Sequence, residues 1–170
     1  MTDTEWLNAQ ERQAWLAVLA ITTRLPAELD SALARVAKIT LFDYHVLAML
    51  SESERQTLPM SRLAERTSSS LSRLSHVVKK LQERGWVLRA VSEDDARVTV
   101  VRLTPEGFEL LKSIAPAHVR SVREALFDGL TPSDIAELAR IGRKIVRHTE
   151  PEHWIFQDEE AAERVPGNSV

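Results

Sequence analysis

Hydroxyl and basic side chains are concentrated in one short stretch of the sequence. The set is Ser68, Ser69, Ser70, Ser72, Arg73, His76, Lys79 and Lys80. An arginine can pair with a guanine through two hydrogen bonds, a serine can bond to a base or a phosphate, and a lysine favours phosphate oxygens. These residue types predict a surface that contacts nucleic acid, with Arg73 as the candidate for reading a base.

The apolar residues of the same stretch predict the helix that presents this surface. Leu71, Leu74, Val78 and Leu81 follow one another at i, i+3, i+7 and i+10, the spacing of a single buried stripe. The serines before Leu71 supply N-cap chemistry, and Gly85 suits the residue that follows a helix end. The hydroxyl and basic side chains must then lie on the opposite face of the helix.

Two β-prone runs follow the helix and predict a hairpin. They span Trp86–Val91 and Arg97–Leu103, separated by a charged tip. An arginine at a hairpin tip can enter the minor groove, where negative potential is concentrated, so Arg97 is a further candidate for a DNA contact. Asp95 is the candidate to hold Arg97 or a neighbouring backbone group in place.

The order of these elements indicates a winged helix-turn-helix. A short helix packed through Leu63 and Ala64 precedes the serine-capped helix and the hairpin. Helical patterns flank the motif on both sides. The predicted fold class is therefore mainly α with a small β wing.

The segment before the motif predicts two helices. Apolar residues recur at helical spacing over residues 8–25, Pro26 predicts a kink or break just before it, and the stripe then continues to about Lys38. Thr40 reads as an N-cap with Asp43 completing a capping box at the start of a compact apolar helix. Residues 51–59 are expected to form a polar connection.

The segment after the motif predicts two more helices and a tail. Thr104-Pro105 and Thr131-Pro132 each combine a capping threonine with a proline at the first helical position. Pro116 is expected to bend the first of these helices. After His148 the periodicity is lost, the sequence turns acidic, and only residues 154–156 have side chains that could pack.

Composition narrows the classes of function. The chain has 170 residues, 44% of them hydrophobic, no cysteine and a net charge of −3. Between Arg55 and Arg102 there are ten Lys and Arg against five Asp and Glu, whereas residues 149–170 carry six acids and one arginine. A basic middle between acidic ends is typical of a localised nucleic-acid footprint. The absence of cysteine excludes a disulfide framework, a thiolate zinc site and a thiol redox sensor.

Other features bear on membranes, cofactors and location. No apolar run approaches the length of a membrane span, and the polar N-terminus does not look like a secretory signal, so a cytoplasmic protein is expected. Neither a phosphate-binding glycine loop nor a nucleophile elbow is present, so neither an enzyme nor a cofactor is expected. His45, Asp43 and His118 do not have the spacing of a metal site.

These motifs resemble the MarR-type transcriptional regulators. The resemblance covers about Leu7 to Arg147. It rests on Leu63-Ala64 with the serine-capped helix, Gly85, the Asp95-x-Arg97 wing, and the sequence from Leu103-Thr104 to Gly107. Where members of the family often have glycine in the turn between the two helices, this chain has Thr67-Ser68.

The resemblance implies a homodimer that reads a pseudo-palindromic site on double-stranded DNA. Residues 1–38 and 104–148 would form the helical dimerisation region, residues 40–103 the DNA-binding domain, and residues 149–170 an acidic tail. Arg97 would be the minor-groove arginine with Asp95 as its structural partner, and Ser70, Ser72, Arg73 and His76 would lie on the groove face.

The resemblance also implies a repressor that responds to a small aromatic or phenolic effector. Candidate residues to line the effector site are Arg12, Trp15, Leu19, Phe42, His45 and His118. An alternative interpretation is a winged-helix module that binds another protein and no DNA. The two are distinguished by charge reversal at Arg73 and Arg97, which would leave a protein-binding module intact.

Overall fold

A computed structural model of the protein describes residues 6–92 and 95–156, and these form six α-helices and a small antiparallel sheet. In chain order the elements are α1 (Ala9–Ala37), α2 (Leu41–Ser51), a 3₁₀ turn (Glu54–Gln56), β1 (Thr57–Pro59), α3 (Met60–Arg66), α4 (Leu71–Glu83), β2 (Val87–Val91), β3 (Thr99–Leu103), α5 (Pro105–Val122), a π-helical turn (Arg123–Phe127) and α6 (Pro132–Thr149). The mainly α fold with a β wing is confirmed.

The main core lies where α2, α3 and α4 pack on the sheet. Its fully buried side chains include Val46, Leu47, Leu50, Leu63, Leu74, Val78, Leu81, Val87 and Val101. Val46 and Leu50 of α2 and Leu74, Val78 and Leu81 of α4 are spaced three or four apart, as one face of an amphipathic helix requires. This core fixes the orientation of α4, the helix that carries the predicted nucleic-acid surface.

The sheet has three strands in the order β1-β3-β2, one more than the predicted hairpin. In β1, Thr57 lies opposite Arg102 of β3 and Pro59 opposite Val100. Residues 51–59 were expected to form a polar connection, and this is wrong for residues 57–59, which form a strand. A three-residue edge strand that ends in proline has too little alternation to be recognised from sequence.

Helix α1 is continuous from Ala9 to Ala37 and contains Pro26 in its interior. The expected break is therefore wrong. Tertiary packing explains the continuity, because Leu29 and Leu33 are buried on the far side of the proline. Leu33 joins Ile39 and Ile114 of α5 in a second apolar cluster, which stabilises the helix beyond the lost hydrogen bond.

The predicted helix starts are confirmed. Thr40 and Asp43 form a capping box at α2, and Thr131 and Asp134 form another at α6. At α5, Oγ1 of Thr104 accepts a hydrogen bond from the N–H of Gly107 at 3.0 Å. Each threonine satisfies a backbone donor that the helix itself leaves free.

The flanking helices carry large apolar side chains that the single chain leaves exposed. On α1 these are Trp15, Leu16, Val18, Leu19 and Ile21, and on α6 they are Ile135, Leu138, Ile141 and Ile145. None of the eighteen residues of α6 is buried. Among the described residues, no helix has the length and apolar character needed to cross a membrane.

Candidate nucleic-acid interface

The turn between α3 and α4 takes the shape that glycine usually provides, although it contains none. Ser68 has a φ of 47°, in the left-handed region. The N–H of Ser69 donates to the carbonyl of Ala64 at 2.9 Å and that of Ser68 to Glu65 at 3.0 Å, the two bonds of a Schellman motif. The hydroxyl of Thr67 also donates to the carbonyl of Leu63 at 2.7 Å, and this bond helps to stabilise the turn.

Helix α4 presents most of the predicted residues to solvent. Ser70 is its N-cap, accepting from the N–H of Arg73 at 3.2 Å. Ser68, Ser72, Arg73, His76 and Lys79 are exposed, and Ser69 is half-buried beside Thr67, 3.0 Å between the two hydroxyl oxygens. Ser70 is exposed as well, and Ser72, Arg73, His76 and Lys79 are exposed polar side chains of this one helix.

Leu71 was expected in the buried stripe, and that expectation is wrong. Its exposed fraction is 55%, whereas Leu74, Val78 and Leu81 are fully buried. Leu71 is the first residue of α4, and the packed core begins one turn later. An apolar side chain therefore stands at the exposed start of this helix.

Arg73 and Lys80 lie on the flank of α4 that faces α2. The guanidinium carbon of Arg73 is 4.3 Å from the centre of the Phe42 ring, a cation–π contact. Nζ of Lys80 donates to Oδ2 of Asp43 at 2.6 Å, and the side chain of Asp43 is 1% exposed. Because its ammonium pairs with a buried carboxylate, we propose that Lys80 has a structural role, and its contact with DNA stays a prediction.

The wing holds Arg97 in a defined position. Oδ1 of Asp95 accepts hydrogen bonds from the backbone N–H and from Nε of Arg97, at 2.9 and 3.1 Å, and Oδ2 accepts from Nη2 at 3.2 Å. These bonds to Arg97 lower the pKa of the Asp95 carboxyl. The Arg97 side chain is 90% exposed, so Asp95 orients it without covering it. Two neighbours at the expected tip, Glu93 and Asp94, lie outside the described residues.

A tight contact joins the wing to α4 and α5. Gly85 ends α4 with a φ of 75°, and the hydroxyl of Thr104 donates to its carbonyl at 2.7 Å. The N–H of Thr104 donates to the carbonyl of Trp86 at 3.0 Å. A Cβ on Gly107 would stand 2.2 Å from that carbonyl oxygen, so only glycine fits there. The residues from Leu103-Thr104 to Gly107 therefore pack against Gly85 and Trp86 and hold the end of β3 close to the end of α4.

The candidate effector residues are not brought together within one chain. Arg12, Trp15 and Leu19 are exposed on the first half of α1, Phe42 packs on the main core, and His45 is exposed on α2. Of the six, only His118 lines a described cavity, and its volume of about 10 Å³ is too small for an aromatic molecule. Within the parts of the chain that the structure describes, no group of three or more His, Asp or Glu side chains could hold a metal ion.

His118 nevertheless has an unusual environment. Its ring centre is 4.1 Å from that of Tyr44, and within the described chain its buried Nδ1 has no hydrogen-bond partner. Burial lowers the pKa of His118, and the nearby His45 lowers it further. Burial also raises the pKa of Tyr44, with a smaller contribution from Glu52.

Comparison with known proteins assigns the family. The sequence model of the MarR family matches residues 39–99, which span α2 to the start of β3. The crystal structure of Sco3205, a MarR family transcriptional regulator from Streptomyces coelicolor in complex with DNA, is 38% identical. The match covers 89% of this chain and 95% of that chain, with a TM-score of 0.84. The chain belongs to the MarR family.

Other MarR relatives agree. AbsC, a MarR family transcriptional regulator from Streptomyces coelicolor, is 36% identical over 88% of this chain and 100% of its own, with a TM-score of 0.82. The transcriptional repressor MprA of Escherichia coli K12 is 26% identical over 61% of this chain. The match spans 58% of the length of MprA, so it does not extend to that whole protein.

Sequence reasoning missed several exposed residues of the MarR motif. Leu71 was assigned to the core because its spacing matches the buried stripe. Arg89 and Arg102 of the wing strands and Arg55 before β1 are exposed too. The alternation of β3 could have indicated Arg102, which lies between the buried Val101 and Leu103, since neighbouring strand residues point to opposite faces. In β2 only Val87 is buried, so alternation gives no signal for Arg89.

Proposed function

We propose that the chain is a sequence-specific DNA-binding transcriptional regulator that acts as a homodimer. One observation carries the proposal: α4 presents an exposed polar face and is followed by a wing whose Arg97 is oriented by Asp95. The DNA complex of Sco3205, which shares the fold over nearly its whole length, supports it. The family has known repressors, MprA among them, and repression is the proposed mode here.

The exposed apolar faces of α1 and α6 support the homodimer. A helix with a strong apolar stripe and no buried residue needs a partner, and a second copy brings the same two stripes. In such a dimer the two α4 helices would enter successive major grooves, about 34 Å apart along the duplex.

The residues of the interface take different roles in this proposal. Ser72, His76 and Arg73 contact base edges from the first turns of α4, and Arg73 must swing off the Phe42 ring to do so. Lys79 neutralises a phosphate, and Arg97 enters the minor groove. The exposed Leu71 side chain suits an apolar contact with a thymine methyl group.

We also propose that a small aromatic or phenolic effector modulates DNA binding. Nδ1 of His118, which has no hydrogen-bond partner among the described residues, and the neighbouring Tyr44 ring would supply a polar and an aromatic contact for such a molecule. The cavity beside His118 holds only about 10 Å³, so the effector would bind a conformation in which this cavity is wider. An effector releases DNA only if it binds more tightly to a dimer whose α4 helices are wrongly spaced.

The test is fluorescence anisotropy of the protein with the DNA upstream of its own gene and with a scrambled duplex, across a salt series. Selective binding with a steep salt dependence supports the proposal, because each phosphate contact adds about −0.9 to the slope. Arg97→Ala is expected to weaken binding, with Arg120→Ala, an exposed arginine of α5, as the matched control. Arg73→Ala is expected to cost about 1–3 kcal/mol and to relax sequence preference.

Two results would contradict the proposal. Absence of binding to any duplex at low salt would favour the protein-interaction module. An equal loss of affinity for specific and random DNA in Arg73→Ala would refute base reading by this residue.

A further inference from the structure

A short turn after α6 contains a buried aromatic residue. Phe156 is 8% exposed, and among the described residues it is the only one after Ile114 that is buried. The turn is closed by two backbone hydrogen bonds, from His153 to Glu150 at 3.1 Å and from Phe156 to His153 at 3.0 Å. The burial of Phe156 shows that its ring packs against other parts of the chain.

Phe156 packs against α6. The guanidinium carbons of Arg147 and Arg143 lie 4.4 and 5.4 Å from the centre of its ring. Both arginines belong to the last two turns of α6, the helix that has no buried residue of its own. Phe156 is therefore held by the dimerisation helix.

Trp154 packs instead against the DNA-binding domain. Its ring lies against the main core of α2, α3, α4 and the sheet, and the guanidinium carbon of Arg66 is 5.6 Å from its centre. Arg66 is the last residue of α3, directly before the turn that sets the start of α4. The His153 ring is 5.6 Å from Trp154 and 6.5 Å from Phe156, and so it lies between the two contacts.

We propose that Trp154 and Phe156 form a clamp that fixes the DNA-binding domain relative to α6, and so act as positioning residues for DNA binding. The proposal rests on the proposed function, because the spacing of two α4 helices matters only for a dimer that reads two half-sites. Phe156 contacts α6 and Trp154 contacts the DNA-binding domain. Both contacts are needed to hold the domain against α6, so the loss of either one leaves the domain free to move relative to α6.

The distance between the domain and α6 tests the clamp directly. Because the chain has no cysteine, spin labels can be placed at Gln82→Cys on α4 and Ser133→Cys on α6. Diluting the labelled protein with an excess of unlabelled protein ensures that each measured pair lies within one chain. Pulsed electron spin resonance is expected to give one narrow distance distribution in the parent and a broader one in Trp154→Ala.

Because the Trp154 and Phe156 contacts are both required, the effects of removing one or both on the distance distribution can be predicted. Phe156→Ala should broaden the distribution as much as Trp154→Ala, and the double variant should add nothing further. Trp6→Ala is the matched control, because Trp6 is 85% exposed and makes no part of the clamp. Arg147→Gln, compared with Arg120→Gln, provides a mild variant in case the alanine variants do not fold. Distributions as narrow as the parent's in folded variants would overturn the clamp.

DNA binding gives a second readout. In an operator whose half-sites are moved apart by one base pair, the parent should lose about a hundredfold in affinity, since two sites that cannot be engaged together lose their avidity. Trp154→Ala should lose at most about tenfold, with an unchanged salt slope. An equal penalty in both proteins would refute the positioning role. A chain that binds no duplex would refute the proposed function instead, and the spin-label distances would still report on the clamp.

Discussion

Two adjacent lysines of α4 are expected to differ in their response to substitution: loss of Lys80 should lower stability, and loss of Lys79 should weaken DNA binding. Nζ of Lys80 lies 2.6 Å from Oδ2 of Asp43, whose side chain is 1% exposed, whereas Lys79 is exposed. Lys80→Met leaves a buried carboxylate without its cation, and removal of one partner of a fully buried pair costs about 3–5 kcal/mol. Lys80 is itself 41% exposed, so water can partly replace it, and we expect a destabilisation of about 2 kcal/mol.

Thermal unfolding followed by circular dichroism measures this effect. A loss of about 2 kcal/mol corresponds to a fall in Tm of roughly 4–8 °C for a chain of this size. Lys79→Met is the matched control and should leave Tm nearly unchanged, because it removes an exposed charge. The double variant Asp43→Asn/Lys80→Met should recover part of the loss, since the asparagine oxygen can still accept the Thr40 N–H without leaving a buried charge.

DNA binding should show the reverse pattern. Lys79→Met is expected to reduce the salt slope by about 0.9 for each chain of the proposed dimer, one phosphate contact each. Folded Lys80→Met should keep the parent slope. If Lys80→Met melted like the parent and lost the salt-dependent affinity instead, the structural assignment of Lys80 would be refuted.

Three further outcomes are expected. Gly107→Ala should destabilise the fold by about 1–3 kcal/mol in chemical denaturation, since its Cβ would meet the Trp86 carbonyl; parent-like stability would contradict the close approach. Asp95→Asn should weaken DNA binding at unchanged Tm, and an effect smaller than that of Ser92→Ala would count against orientation of Arg97. Because burial lowers the pKa of His118, stability should fall as pH drops below about 6.5, and His118→Gln should flatten that dependence.

The sign of the His118 effect follows from proton binding. The unfolded chain takes up a proton at a higher pH than the folded chain does, so acidification favours unfolding. The contribution is complete above the unfolded pKa and is lost as pH falls through the lower folded value. Denaturant unfolding between pH 5 and 8 measures it, and an identical slope in the variant would exclude His118 as the source.

Local signals in the sequence predicted most of the helix starts and the wing. Thr40 with Asp43 and Thr131 with Asp134 place a hydroxyl and a carboxylate three residues apart, and both form capping boxes. Capping depends on backbone groups within one turn, so it can be read without knowledge of the fold. The pairing of Asp95 with Arg97 is local in the same sense.

Features that depend on distant residues were not predictable in this way. Pro26 was expected to kink or break a helix, and the break does not occur because burial of Leu33 against Ile114 keeps that helix continuous. Lys80 was predicted to contact DNA because it is basic and outward-facing, and its ion pair with Asp43 on another helix was not foreseen. In each case the deciding contact joins residues far apart in sequence, which periodicity does not contain.

Periodicity also shows where an apolar face lies without showing what covers it. Leu71 and the stripe of α6 have the same spacing signal as buried residues, and the single chain leaves both exposed. They differ in extent: Leu71 is one side chain at a helix start, and it suits contact with a base methyl group. The α6 stripe runs along eighteen residues together with the apolar residues of α1, and a face of that size in water indicates a protein interface. The same pattern thus supports DNA contact at one site and dimerisation at the other, and the area of the exposed face distinguishes them.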